Sequence, residues 1–258
     1  LRHHLRLLQA AAELCDAQLE GAEIGSQTLT TTPGPIKAGS LAVHMSTAQG
    51  VTWALATFLP ALLSADAPTV VHLKGGTHSP GSPLLEEYTE ALFPLLTRMG
   101  ASLEIQRTIP GFYPAAGGEV VMTVTPPPEG QWTPLRLVDG GSLVRKEAIA
   151  QVAQLGENIA QRELDTLREK MTWADDELTL RNLHKSTGPG NVLTVKLHRE
   201  SHVEIFGGVG ERGVRAETVA ENVAAAAREY LAAQVPASRN LARRLLPFIA
   251  LAGEGSVS

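Results

Sequence analysis

Apolar positions along this chain recur at helical spacing, break, and then alternate. In "FLPALLSADAPTVVHLK" (Phe58 to Lys74), "LFPLLTRMGASLEIQR" (Leu92 to Arg107) and "RLLPFIALAGEGSVS" (Arg244 to Ser258) an apolar helical segment holds one proline, at Pro60, Pro94 and Pro247. A strand-like stretch opens eight or nine positions later, at Thr69, Ser102 and Ser256. Proline inside a helix costs about 3 kcal/mol unless it marks a first turn or a kink. Three prolines in equivalent places therefore predict one supersecondary unit used three times. "LQAAAELCDAQLEGAEIGSQTLT" (Leu8 to Thr30) is a more diverged candidate copy without the proline. Units that pack helices on one face of a small sheet give an α+β architecture. Leu1, Leu5, Leu8, Ala12, Cys15 and Leu19 follow helical spacing and predict a helix already under way at residue 1, as though sequence preceded it. The third copy likewise stops as its strand begins.

Pro60 and Pro94 are 34 residues apart, and Pro247 follows 153 later, so something is inserted. Val144 to Met171 predicts a charged amphipathic helix. "ELTLRNLH", "NVLTVKLH" and "HVEIFGGVG" predict strands, separated by "STGPG" and a tight "RES" turn. Val214 to Gln234 predicts a long alanine-rich helix. The expected division is repeated α+β units over 1–140, a small α/β domain over 141–236, and a return to the first body over 237–258. A proline-rich approach, "VTPPPEGQWTP" (Val124 to Pro134), precedes the insert.

The 258 residues are 43% hydrophobic and 19% charged, an ordinary globular balance. A chain this long buries roughly 70–75% of its unfolded surface and needs no staples. Cys15, the only cysteine, rules out an intrachain disulfide and sits on the apolar row, where a buried thiol fits a reducing compartment. No apolar run reaches the ~18 uncharged residues of a membrane span. A net charge of −5 argues against wrapping a long nucleic acid, though not against holding one nucleotide or one RNA end. Aromatics at 4% do not advertise a stacking platform.

"LKGGTHSPGSP" (Leu73 to Pro83) is the strongest local signal. A strand ends in two glycines, and Thr77, His78 and two prolines then frame a rigid loop that opens a helix at about Pro83. Backbone N–H groups and a helix N-terminus at one spot favour an anion, with Gly76, Thr77, His78, Pro80 and Pro83 as candidate contacts; a purely structural loop is the alternative. "GFYPAAGGEV" (Gly111 to Val120) is a more elaborate break than a hairpin between "ASLEIQR" and "EVVMTV" needs, and suggests a specified backbone path. "GGVGERG" (Gly207 to Gly213) lacks the Lys-Ser/Thr of a phosphate loop and reads as a strand-to-helix turn. His3 and His4 face different ways on a helix and make a poor metal pair, which leaves exposure or a role in binding an RNA end. His198 and His202 flank a hairpin turn and read as a solvated face.

"LEGAEIGSQTLTTTPGPIKAG", "GGTHSPGSP", "GFYPAAGGEV", "GPGN", "GERG" and "ALAGEGS" occur in the order seen in the RNA 3'-terminal phosphate cyclase family, and in this the whole chain resembles it. The resemblance implies repeated β-α units like the C-terminal domain of a bacterial translation initiation factor, plus one inserted α/β domain. It implies an activity in the ligase class: ATP adenylates a histidine, AMP passes to an RNA 3'-phosphate, and the 2'-hydroxyl closes a 2',3'-cyclic phosphate. ATP and a divalent metal, Mg or Mn, are the implied cofactors. RNA 3' ends are the implied partners, with a homodimer and a cytoplasmic location as further expectations. The resemblance places the nucleotide beside Asn240, Arg243 and Arg244, and the RNA end beside Arg2, His3 and Arg239.

Departures from the family pattern qualify this. Its usual "DTGTAGS" is "HMSTAQG" (His44 to Gly50), its corner arginine is Ala115, one corner glycine is Ala116, and a helix glutamine is Ala56. The usual asparagine or aspartate of the glycine loop is His78. "EHLADQL" is "RNLARRL", with Arg243 and Arg244 at the nucleotide-side aspartate and glutamine. The family's "EGGGQ" stretch and its nucleophilic histidine segment do not occur in this chain, so no catalytic residue is assigned and no self-adenylation of residues 1–258 is expected. The competing expectation is a non-catalytic RNA-binding or scaffold relative. Arg239 and Arg243 stand four apart, one helical face, and with Arg244 would form a basic patch.

Overall fold

The structure is a computed structural model and describes residues 2–45, 50–128 and 131–258; the side chains of Arg2 and His3 are not among those described. In chain order the elements are α1 (Arg2–Cys15), the short pair β1 (Gln18–Glu20) and β2 (Thr30–Thr32), β3 (Gly39–His44), α2 (Val51–Leu62) and β4 (Thr69–Gly75). A π-helical turn (Glu87–Leu92) then runs into α3 (Phe93–Arg98), followed by β5 (Ser102–Ile109), β6 (Gly118–Thr125) and β7 (Arg136–Leu137). Next come β8 (Leu143–Ala153), α4 (Glu157–Met171), β9 (Leu178–Asn182), β10 (Gly190–Arg199), β11 (Val203–Val209), α5 (Ala216–Ala233), α6 (Arg239–Leu251) and β12 (Ser256–Val257).

These elements make an α+β protein. One four-stranded sheet has the order β3-β4-β6-β5, with β3 parallel to β4 and the other pairs antiparallel. The other has the order β11-β10-β8-β9, with β8 parallel to β9 and the rest antiparallel. The three proline-marked segments are helical, and their strands open at Thr69, Ser102 and Ser256 as expected. The first two are not separate units, however. Their strands, β4 and β5, lie in one open sheet, on either side of β6. The third strand, β12, pairs in parallel with β7.

Two further expectations are corrected. The stretch from Val144 is not helical: it lies in β8, and α4 begins only at Glu157. Its Glu, Lys, Ala and Gln content favours a helix, but β10 and β9 pair with both of its edges, and Ala148, Ala150 and Val152 are fully buried. Tertiary pairing overrides a weak local propensity. On α1 the buried row is Leu7, Ala10 and Leu14, so the row through Leu5, Leu8 and Cys15 is only half-buried. The Cys15 thiol is therefore half-exposed and donates to the carbonyl of Ala11 at 3.3 Å.

The main core gathers α1, α2, α3, α6 and the inner face of the first sheet; a second lies between α4, α5 and the other sheet. A small third cluster, Leu84, Phe112, Ala153 and Val192, joins them. Beside the second core, Glu163 of α4 is fully buried. Its Oε1 accepts from the Asn191 amide, and its Oε2 has no hydrogen-bond partner among the described residues. Burial pushes its carboxyl up to about 8, against the smaller opposing effect of Asn191. A folded pKa above the unfolded value means that ionisation works against the fold. Stability is therefore lost as pH rises from about 4.5 through about 8. Glu163→Gln should remove that loss, raising the unfolding free energy from chemical denaturation at pH 8.5 by an amount on the order of a few kcal/mol while changing it little at pH 5. Parallel pH profiles of the two proteins would refute this.

Candidate functional site

The glycine-rich corner between β5 and β6 is built around one carbonyl. Gly111 O accepts from the backbone N–H of Thr77 at 2.9 Å and of His78 at 3.1 Å, and Gly111 N–H donates to Thr77 Oγ1 at 3.0 Å. A Cβ at Gly111 would lie 2.2 Å from the Ala116 carbonyl oxygen, so only glycine fits. Phe112, buried, stacks on the His78 ring at 5.2 Å. A Cβ at Gly190 would strike the Phe112 ring at 2.1 Å, so the corner also fixes how closely β10 approaches. The corner thus binds the Leu73–Pro83 loop to the second sheet, and that explains its elaborate backbone path.

The loop's geometry differs from an open anion cradle. The N–H groups of Thr77 and His78 are engaged by Gly111, and Gly76 O accepts from Val51 N–H at the start of α2. His78 is buried, with Nδ1 2.8 Å from Thr77 Oγ1 and Nε2 3.0 Å from Glu86. Burial opposes ionisation of Glu86, but the His78 pairing prevails and holds its carboxyl below the usual range. The helix starts at Leu85 rather than Pro83, and the Glu87 carboxylate already accepts from Leu84 N–H at 2.7 Å. Gly76, Thr77 and His78 are therefore held as structure.

The other candidates converge elsewhere. A cleft of about 460 Å³ opens between α2 and α6, floored by the π-helical turn, and it brings together Pro83, Asn240, Arg243 and Arg244. That volume lies within the roughly 300–1,000 Å³ of small-molecule sites. Helical spacing makes both walls: Trp53, Ala56 and Pro60 on α2 face Asn240, Arg243 and Pro247 on α6. Pro80 lines an adjoining groove of about 300 Å³ against Gly207 and Gly208, so that "GGVGERG" begins inside β11, which ends at Val209. Arg239 is exposed in the first turn of α6 and is not part of the cleft lining. Arg2 and His3 lie outside the described side chains, and Ser46 to Gln49 of "HMSTAQG" lie outside the described residues.

The two adjacent arginines differ. Arg243 is exposed. Arg244 is mostly buried, ion-paired to Glu87 at 2.6 Å, with its guanidinium 5.6 Å from the Tyr88 ring centre. Burial raises the Glu87 carboxyl, and Arg244 opposes that rise. Burial likewise raises the Tyr88 hydroxyl. The expected three-arginine patch is thus two exposed charges, Arg239 and Arg243, beside one neutralised wall residue. His198 and His202 do not form a solvated face either. His202 is buried, 3.4 Å from Glu204, and His198 is bound to Glu147 at 3.0 Å. The hairpin turn folds back on Asp139 and Gly140, whose carbonyls accept from Ser201, and so covers His202.

Trp53, Glu87, Tyr88 and Phe248 also line the cleft, and sequence reasoning had not found them. Only the spacing of Trp53, Ala56 and Pro60 on one helical face signalled any of it. Apolar walls, an exposed guanidinium and the Asn240 amide fit a nucleotide such as ATP. Among the described residues no group of three or more His, Cys, Asp or Glu converges.

Fold and cleft define an α+β protein with two mixed sheets and a site of small-molecule size. The family model described as RNA 3'-terminal phosphate cyclase matches residues 1–258, and the chain belongs to that family. Proteins of that name from Ectopseudomonas mendocina, Ralstonia nicotianae and Koribacter versatilis are 40%, 42% and 38% identical to it. The matches cover 100%, 99% and 99% of this chain and 75%, 73% and 72% of theirs. No helix among the described residues is long and apolar enough to cross a membrane.

Removing Arg244 leaves the Glu87 carboxylate without its cation. Arg244→Met should lower stability by about 3 kcal/mol, whereas Arg243→Met should change it by less than about 0.5 kcal/mol. Equal shifts in denaturant midpoint would contradict the distinct placement of the two arginines.

Proposed function

We propose that this protein binds ATP in the cleft between α2 and α6 and acts on RNA 3'-phosphate ends. The finer reaction is conversion of the 3'-phosphate to a 2',3'-cyclic phosphate through an adenylated histidine. AMP passes to the RNA phosphate, and the 2'-hydroxyl then displaces it. The observation that carries the reading is that Asn240, Arg243 and Pro83, from motifs 157 or more residues apart, line one cleft in a chain of the cyclase family. Arg243 would hold phosphate, the apolar walls would hold the base, and the π-helical turn would close the floor. The same reading takes 141–236 as a domain inserted into a body formed by 1–140 and 237–258; the separate strands of the two sheets support it.

A second reading, a non-catalytic RNA-binding or scaffold relative, is favoured by a specific observation. Ala56 and Arg243 line the cleft where the family pattern has polar or acidic partners.

Two measurements test these readings. An oligonucleotide ending in a 3'-phosphate should bind more tightly than its 3'-hydroxyl counterpart, with affinity falling steeply as salt rises. Arg243→Glu should weaken the binding and reduce the slope of log K against log salt by about one. A variant indistinguishable from the wild type would remove Arg243 from the site. Cyclic phosphate formed from that oligonucleotide with ATP would decide for catalysis, and binding without product would decide for the second reading.

A further inference from the structure

Trp53 is an anomaly among the aromatic residues. Aromatics are scarce in this chain, and the other two tryptophans are placed as core residues: Trp173 is buried against Lys146, and Trp132 packs against the main core. Trp53 remains 43% exposed and lines the cleft. It projects from the first turn of α2, and its neighbours on that face, Ala56 and Pro60, are too short to cover its ring. Across the cleft the exposed polar groups are Asn240 and Arg243; the Arg244 cation is already paired with Glu87. A flat apolar ring on one wall, with an unpaired-by-wall guanidinium facing it, suits a ligand with a planar ring at one end and negative charge at the other.

Resting on the nucleotide-binding reading above, we infer that Trp53 is the stacking platform for the base of the bound mononucleotide, with Arg243 on its phosphates. Stacking on an aromatic ring is worth roughly 1–3 kcal/mol per base and uses the π-face that every base has. Discrimination between bases requires polar groups aimed at their edges, and among the described lining side chains the exposed Asn240 amide and the half-buried Ser82 hydroxyl are the few that combine a donor and an acceptor. The site is therefore tolerant of the base. ATP, GTP, CTP and UTP bind within about tenfold of one another, and Trp53 governs their affinity as a positioning residue rather than a chemical one.

The test titrates the protein with each nucleoside triphosphate by calorimetry and by tryptophan fluorescence. ATP should bind and quench emission in the wild type. Trp53→Ala should lose roughly tenfold in affinity, Trp53→Phe should keep most of it, and neither should show the quench. Because Trp53 belongs to neither core cluster, both variants should fold, with Trp53→Phe keeping the wild-type melting temperature. If ATP binds Trp53→Ala with wild-type affinity, or without quenching the wild type, the stacking role is overturned while nucleotide binding stands. If no triphosphate binds the wild type, both fall. If only an RNA oligonucleotide quenches Trp53, the platform belongs to the RNA end and the inference is wrong. Selectivity for ATP beyond a hundredfold would overturn base tolerance.

Discussion

Three glutamates on one short helical segment fix how the parts of this structure meet. Glu86, Glu87 and Glu90 project from the segment that opens at Leu85, and each meets a cationic or imidazole partner from a different part of the chain. Glu86 meets His78 of the glycine loop, Glu87 meets Arg244 of α6, and Glu90 meets Lys196 of β10. A carboxylate taken out of water without a partner is strongly unfavourable, while a well-paired one gains little over an apolar contact. Such pairs therefore specify geometry more than they stabilise. The segment can sit only where all three partners reach it, which fixes α6 beside α2 and the second sheet against the first body. The cleft is the space those constraints leave, and its floor, Glu87, Tyr88 and Leu92, is the same segment.

The π-helical turn contributes to this placement. Six residues, Glu87–Leu92, run in the wider i→i+5 register before α3 resumes the ordinary one. Pro94 sits in the first turn of α3, where a missing N–H is tolerated. The widened turn lets Glu87 and Tyr88 face α6 while Glu90 faces β10, directions that regular helical steps of 100° would separate differently. The Gly111 corner acts at the other end of the same loop. By engaging the N–H groups of Thr77 and His78, it holds the His78 ring where Glu86 can reach it. Corner and helix thus position one loop from two sides.

What could be read from the sequence follows this division between local and long-range causes. Strand starts at Thr69, Ser102 and Ser256, the hairpin of β10 and β11, and the extent of α5 were legible because turn residues and apolar periodicity set them locally. The helix expected over Val144 to Met171 is helical only from Glu157; its first part is a strand buried on both faces, so "AIAQVA" carries no alternation to read. The structural alternative for the glycine loop could not be weighed locally for a similar reason. Its free-looking N–H groups are satisfied by Gly111, 34 residues away, and nothing local announces that partner. Asn240, Arg243 and Pro83 reached one cleft through motif order, whereas Glu87 and Tyr88 depend on the π-helical register and were invisible.

Adjacent arginines on a helix point about 100° apart, so "RR" seldom means a doubled charge at one place. Here one of the pair closes a wall and the other faces the opening. If an acid occupied position 244, it would stand against Glu87 in a half-buried setting, and two like charges there could not both stay ionised. Glu87 therefore excludes an acid at position 244 and favours a cation or a neutral donor there, while position 243 carries no such tie. Divergence in this cleft is then two separate events in physical terms. The exchange at 244 is a change of wall, compensated inside the protein by Glu87. The exchange at 243 alters the sign of charge offered to the ligand, and nothing in the wall compensates it, so any compensation must come from the ligand. A cleft that presents cation rather than acid favours phosphate over ribose hydroxyls at that point.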